Sequence, residues 1–171
     1  TILGPLSGAH FNPAVSFAFA LRGEITPKIA ALYAIWPIIG GLCGTVLAHL
    51  MFEQRVWQTS AHMRSGMAQY GSEFVATFGL LAVIFGGICY RQTAVPWLVG
   101  LYITAAYWFT ASTSFANPAV TIARSFTDSF SGIFPGDMPF FIIAQMLAAA
   151  AASLVCGWLF ADLCVKYSAG V

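Results

Sequence analysis

Apolar and polar positions along this chain sort into apolar runs of two lengths. Four runs are long, at residues 29–52, 74–90, 95–109 and 140–161. A helix needs about 20 mostly apolar residues to cross a bilayer, so each is read as a candidate span. Thr45 and His49 are the strongly polar interruptions of the first, and the last is rich in alanine. Two further runs, residues 13–21 and 118–126, are short. At 1.5 Å per residue about nine residues make roughly 14 Å of helix, half a bilayer. The first ends at Arg22-Gly23-Glu24, and the second carries Arg124. Such pieces enter a membrane halfway, and the non-helical backbone beside them must be buried in protein or line a water-filled cavity.

Both short runs begin alike, with Asn12-Pro13-Ala14 and Asn117-Pro118-Ala119, 105 positions apart and each followed by valine and a hydroxyl residue. Asn is a preferred helix N-cap, and Pro suits the first helical position because its missing N–H would be unpaired there anyway. Each copy is therefore a loop that ends by starting a helix. Two short helices with positive N-terminal ends inside a membrane are the architecture of a pore.

Composition narrows the class. Hydrophobic residues make up 59% and charged residues 8% of the 171 positions, with a mean hydropathy of +0.80, which excludes an ordinary soluble domain. A net charge of +1 carries no nucleic-acid signature. Cys43, Cys89, Cys156 and Cys164 show no C-x-x-C spacing and are read as small buried hydrophobes, not a metal or disulfide site. No cofactor or metal is expected, and neither H-E-x-x-H nor G-x-S-x-G occurs, so no enzyme is expected. Residues 53–69, with Arg55, His62 and Arg64, are expected to form a solvent-exposed connection within one membrane domain, 1–171. Gly40-x-x-x-Gly44 has the small-residue spacing of close helix contacts, although it also arises by chance in Gly-rich spans.

Each Asn-Pro-Ala is followed by a half-helix, a polar turn and a full span. Two spans, starting near Tyr70, precede Asn117, whereas only 11 residues precede Asn12. Equivalent halves would place two more spans before this chain. Three spans per half force the halves into opposite orientations, an inverted repeat. With the first half-helix on the cytoplasmic side, Arg22, Lys28, Arg91 and Lys166 lie inside and Arg55, Arg64 and Arg124 outside, in keeping with the positive-inside rule.

Four segments carry a family resemblance: Ser7-Gly8-Ala9-His10-Phe11-Asn12-Pro13-Ala14-Val15, Leu21-Arg22-Gly23, Gly71-Ser72-Glu73-Phe74-Val75-Ala76-Thr77-Phe78 and Phe115-Ala116-Asn117-Pro118-Ala119. Together they resemble the aquaporin (major intrinsic protein) family. The resemblance implies an all-α, right-handed six-span bundle with two re-entrant half-helices meeting at mid-membrane. It also implies a homotetramer with a pore in each subunit, multi-pass in the cell membrane, whose partners are lipid, water and small neutral solutes. Asn12, Pro13, Ala14, Asn117, Pro118 and Ala119 would form the mid-pore, each Asn donating an amide N–H to a passing water. As is general for aquaporin-type channels, this orients the water and interrupts a proton-conducting chain, while the positive half-helix ends oppose cations. Backbone carbonyls of Gly8, Ala9 and His10, and of Ser114, Phe115 and Ala116, would lead to the centre.

Glu73 is expected to be a buried acceptor bracing the re-entrant loop, or else a proton relay. His49 is read as a satisfied core histidine, and His10 as either lining or structural. Trp57, Tyr70, Tyr90 and Trp97 are read as interfacial anchors.

The chain also departs from the family. Most members have arginine directly after the second Asn-Pro-Ala; here it is Val120. Arg124 follows one turn later on nearly the same face, read as a solvated helix end in preference to a vestibule guard. The outer filter is assigned to Tyr107 (or Ala106), Ser114 and Val120. Thr121, where glycerol-conducting members carry aspartate, and Phe140-Phe141 favour the water-channel branch. A valine in place of a guanidinium gives a wider, less polar opening, which admits polyols or undissociated acids such as arsenite beside water. The alternatives are a coupled transporter or a non-transport assembly subunit.

Overall fold

The computed structural model describes residues 2–161 and Cys164. Seven helices occur there, with no strand among the described residues: α1 (Gly4–Ser7), α2 (Pro13–Leu21), α3 (Pro27–Met51), α4 (Met67–Arg91), α5 (Val95–Phe109), α6 (Pro118–Arg124) and α7 (Met138–Leu159). α2 and α6 are the two half-helices, of 9 and 7 residues. α3 starts where Thr26 caps the Ile29 N–H at 3.4 Å, with Pro27 in the first turn.

α4 and α5 fold back on each other through a 3-10 turn, Gln92–Ala94. The antiparallel register is visible in the donation of the Tyr102 hydroxyl to the Ala76 carbonyl at 3.0 Å and of the Ala111 N–H to Ser72 Oγ at 3.2 Å. α4 and α7 run parallel, with Glu73 beside Gln145 near one end and Gly86 beside Phe160 near the other. α2 packs on α3 and α7, α6 packs on α3 and α7, and α2 touches α6. The main core gathers Ala14, Ala18, Leu81, Phe85, Ala149, Ala152 and Cys156. Its alanines let helix backbones approach closely where lipid supplies no hydrophobic drive between helices.

The outer faces are apolar and bare. Trp36 and Leu47 on α3, Leu101 and Trp108 on α5, and Leu154 and Trp158 on α7 are all exposed. α3, the α4–α5 stretch and α7 are long and apolar enough to cross a membrane. α5 coincides with the 95–109 run read as a span from the sequence. Its 15 residues give roughly 22 Å of helix against a hydrocarbon core of about 30 Å. It stops where Thr110 turns extended and the chain enters the second re-entrant loop.

The cysteine and Arg64 readings are corrected, and the open question of the α3 glycines is narrowed. On α3, Gly40 and Gly44 face open space among the described residues, and the glycine packed against another helix is Gly41, where an added Cβ would lie 3.2 Å from Ala123 Cβ on α6. Cys89 and Cys164 form a disulfide, and Cys43 is exposed, which leaves Cys156 as the buried free thiol among the described residues. The parallel course of α4 and α7 brings Cys89 and Cys164 together, a juxtaposition that 75 residues of separation hide in the sequence. Arg64 is 6% exposed, so the connection after α3 is not simply solvated. Lys166, used in the charge count, lies outside the described residues.

Candidate pore site

The two Asn-Pro-Ala segments interlock. Asn12 Oδ1 accepts the Ala14 N–H at 3.0 Å, and Asn117 Oδ1 accepts those of Ala119 at 2.9 Å and Val120 at 3.4 Å, so each oxygen caps its own half-helix. The amide nitrogens reach across. Asn12 Nδ2 donates to the Ala116 carbonyl at 2.7 Å, and Asn117 Nδ2 to the Phe11 carbonyl at 3.1 Å. Each acceptor is the residue just before the opposite asparagine, which is the exchange that a two-fold relation between the repeats produces. A carboxamide carries two N–H donors, so one per asparagine is engaged across the interface and one remains.

Backbone geometry repeats as well. Gly8 and Ala9, four and three residues before Asn12, have φ of 67° and 56°. Thr113 and Ser114, at the same offsets before Asn117, have φ of 60° and 48°. Non-glycine residues rarely sit in this left-handed region, and such strain clusters at functional sites. The consecutive turns hold each loop re-entrant and bring Asn12 and Asn117 face to face. Ala116 O is engaged by Asn12, and Ala9 O by the Phe11 N–H at 3.0 Å.

Behind the second loop lies a buried polar chain. Glu73, fully buried, accepts the N–H of Phe115 at 3.2 Å and that of Ala116. Gln145 Nε2 donates to Glu73 Oε1 and to Thr121 Oγ1, both at 2.9 Å, and the Thr121 hydroxyl donates to the Asn117 carbonyl at 2.9 Å. The chain thus runs from α4 through α7 to the cap of α6. Gln145 was missed by sequence reasoning, although a glutamine within an alanine-rich apolar run was the available signal. Thr121, used in the sequence to choose a branch, is fully buried in this chain.

The outer end is built from more residues than the sequence suggested. Arg124 Nη2 donates to the Tyr107 hydroxyl, and the guanidinium lies 4.3 Å from the Phe115 ring centroid. Arg124 is therefore not a freely solvated helix end: the Tyr107 hydroxyl and the Phe115 ring both hold its guanidinium. Ala106, the alternative to Tyr107, is fully buried. Arg64 lies 5.0 Å from the same Phe115 ring. It donates from Nε to the Gly132 carbonyl at 2.7 Å, from Nη2 to Phe130 at 2.9 Å and from Nη1 to Ser112 at 3.3 Å. Burial and then the neighbouring Arg124 lower its pKa, against a smaller opposing effect of Glu73. Ser114 is 2% exposed, its Oγ unpartnered, whereas Val120 lines an open cleft of about 670 Å³ with Phe11, Gly41 and Arg124.

His49 and His10 are both held. His49 Nδ1 is 2.9 Å from the Val56 carbonyl, which can only accept, so Nδ1 donates and Nε2 accepts from Thr127 Oγ1 at 3.0 Å. His10 stacks on Tyr33 at 4.7 Å, with Nδ1 3.2 Å from Ser16 Oγ. At the opposite end of the bundle Arg22 pairs with Glu24 and covers Phe85 at 4.4 Å.

Residues 1–103 match the major intrinsic protein (MIP) family profile. The chain is 61% identical over 159 residues to aquaglyceroporin AqpS of Rhizobium meliloti (strain 1021), covering 93% of this chain and 68% of that protein. This chain belongs to the major intrinsic protein family. It is also 33% identical over 110 residues to aquaporin NIP1-1 of Arabidopsis thaliana, across 59% of this chain and 37% of that protein. To aquaporin-8 of Notomys alexis it is 44% identical over 102 residues, 55% of this chain and 39% of that one. The relatives thus include an aquaglyceroporin as well as aquaporins, and the channel family to which the chain belongs is multi-pass in membranes.

Proposed function

We propose that this chain carries the conducting core of a passive channel for water and small neutral solutes, glycerol-sized polyols and undissociated arsenite among them. The reciprocal bonding of Asn12 and Asn117 carries the reading. It fixes two half-helix N-termini against each other and leaves one amide N–H on each asparagine for a passing oxygen. A permeating water that accepts from both cannot also relay a proton between them. Tyr107 and Val120 form the outer filter with Phe115, while Ser114 supports it from behind. Glu73 braces the second loop as a structural acceptor, and Gly8, Ala9, His10, Phe115 and Ala116 supply the backbone leading inward. The single domain works in the cell membrane as a homotetramer, whose subunit and lipid contacts cover the bare apolar faces.

The name of AqpS, together with Val120 at the position where the family resemblance implies arginine, supports solutes larger than water. Vesicles carrying the full-length protein should swell in water and glycerol gradients, at rates independent of an imposed ion gradient. Swelling that requires an ion gradient would replace the channel by a coupled transporter, and no swelling above protein-free vesicles would end the reading.

A further inference from the structure

In the outer mouth, size and charge are handled by different residues one helical turn apart. Val120 and Arg124 share one face of α6 and both line the open cleft. Four residues of helix separate them by about 6 Å along the axis. Val120 contributes an apolar wall with no donor. Arg124 contributes a guanidinium held from two sides, by the Tyr107 hydroxyl and by the face of Phe115. Arg64 sits against the same Phe115 ring, so two cations flank one aromatic group.

Their charge is not cancelled by direct pairing. Among the described residues the one ion pair is Arg22–Glu24, at the opposite end of the bundle. Nearby carboxylates are turned elsewhere: Glu73 to the Phe115 and Ala116 N–H groups, Asp137 to the Arg64 backbone N–H at 2.8 Å, and Asp128 to the Ala61 N–H at 2.9 Å. Each Arg64 guanidinium nitrogen donates to a carbonyl, while Arg124 keeps a buried Nη1 without an acceptor. A fixed, uncompensated positive charge beside a low-dielectric passage repels cations strongly.

We propose that Arg124 is the cation-excluding residue of the outer mouth, positioned by Tyr107, and that it acts independently of the size threshold at Val120. The inference rests on the channel reading above. It predicts a channel that admits solutes too large for an arginine-narrowed filter while still rejecting small cations.

The test uses vesicles of the full-length protein and three readouts: potassium leak, water swelling and glycerol swelling. Arg124→Gln should raise potassium leak roughly ten-fold or more, with the glycerol-to-water ratio staying within about two-fold of the parent. Arg124→Lys keeps the charge and should stay tight to potassium, and Tyr107→Phe, which frees the guanidinium, should leak to an intermediate extent. Val120→Arg should instead lower the glycerol-to-water ratio without loosening potassium exclusion. Unchanged leak in Arg124→Gln, equal leak in Arg124→Lys, or a glycerol-to-water change in Arg124→Gln as large as in Val120→Arg would each overturn the proposal. Parent vesicles that swell normally in glycerol keep such a failure separate from failure of the channel reading. Parent vesicles that do not swell would overturn both.

Discussion

Replacing Glu73 by glutamine tests the buried brace behind the second re-entrant loop. In the parent, the carboxylate accepts from the N–H groups of Phe115 and Ala116, from Gln145 Nε2 and from the Ser112 hydroxyl, with no exposure to solvent. Glutamine puts an NH2 where one of the two oxygens was. Facing Phe115 or Ala116, it sets donor against donor and strands up to two, while Gln145, whose Oε1 has no partner, can turn to accept. A buried unsatisfied donor costs about 1–3 kcal/mol, so two cost roughly 2–6 kcal/mol. Removing a buried charge returns part of this, because desolvating a carboxylate is itself unfavourable. We expect a net loss of about 2–4 kcal/mol. For a chain of this size the melting midpoint then falls by very roughly 5–15 °C, at about 2–4 °C per kcal/mol. Leucine, which offers no acceptor, should lose more. Thermal unfolding of detergent-solubilised full-length protein gives the midpoints, and glycerol swelling at low temperature reports the pore. Glu73→Gln melting with the parent, or Glu73→Leu melting above it, would show that desolvation outweighs the bonds and that the loop is braced elsewhere.

Asn117→Asp removes the donor to the Phe11 carbonyl and places an acid between two positive helix ends. Neutral-solute flux should fall or cation leak should rise, and unchanged conduction would remove Asn117 from the pore. Arg64→Lys puts a single ammonium in place of the guanidinium fork and cannot span the Gly132, Phe130 and Ser112 carbonyls. It should cost about 2–4 kcal/mol in thermal unfolding and speed proteolysis of the outer connection, whereas a parent-like variant would make that clamp dispensable. Gly41→Ala drives a Cβ to within 3.2 Å of Ala123 and should destabilise by about 1–3 kcal/mol. Gly40→Ala and Gly44→Ala meet open space and should be neutral or stabilising by up to about 1 kcal/mol, so a reversed order would return the helix contact to the Gly40–Gly44 pair.

The sequence by itself determined the parts that local physics specifies. Asn followed by Pro fixes where a helix starts, so both half-helices and their caps were legible residue by residue. The length of an apolar run decides whether it can cross a bilayer, which separated α2 and α6 from α3, α4 and α7. Repetition of the motif implied two halves meeting at their helix N-termini. Tertiary structure decided every property that depends on which distant residues become neighbours. That Asn12 bonds the carbonyl before Asn117 requires the halves to be docked. Gly41, and not its neighbours at Gly40 and Gly44, meets α6 because helix rotation sets the contact. Arg64 in a polar connection and Gln145 in an apolar span became central only when folding surrounded them with partners 24 to 72 positions away. Arg124 changed most. In the sequence it is a charge at the end of a short helix, as water would have it. Phe115 and Tyr107, brought in from a loop and another helix, hold its guanidinium. A buried or half-buried charge goes where its partners are, and only the fold assembles those partners.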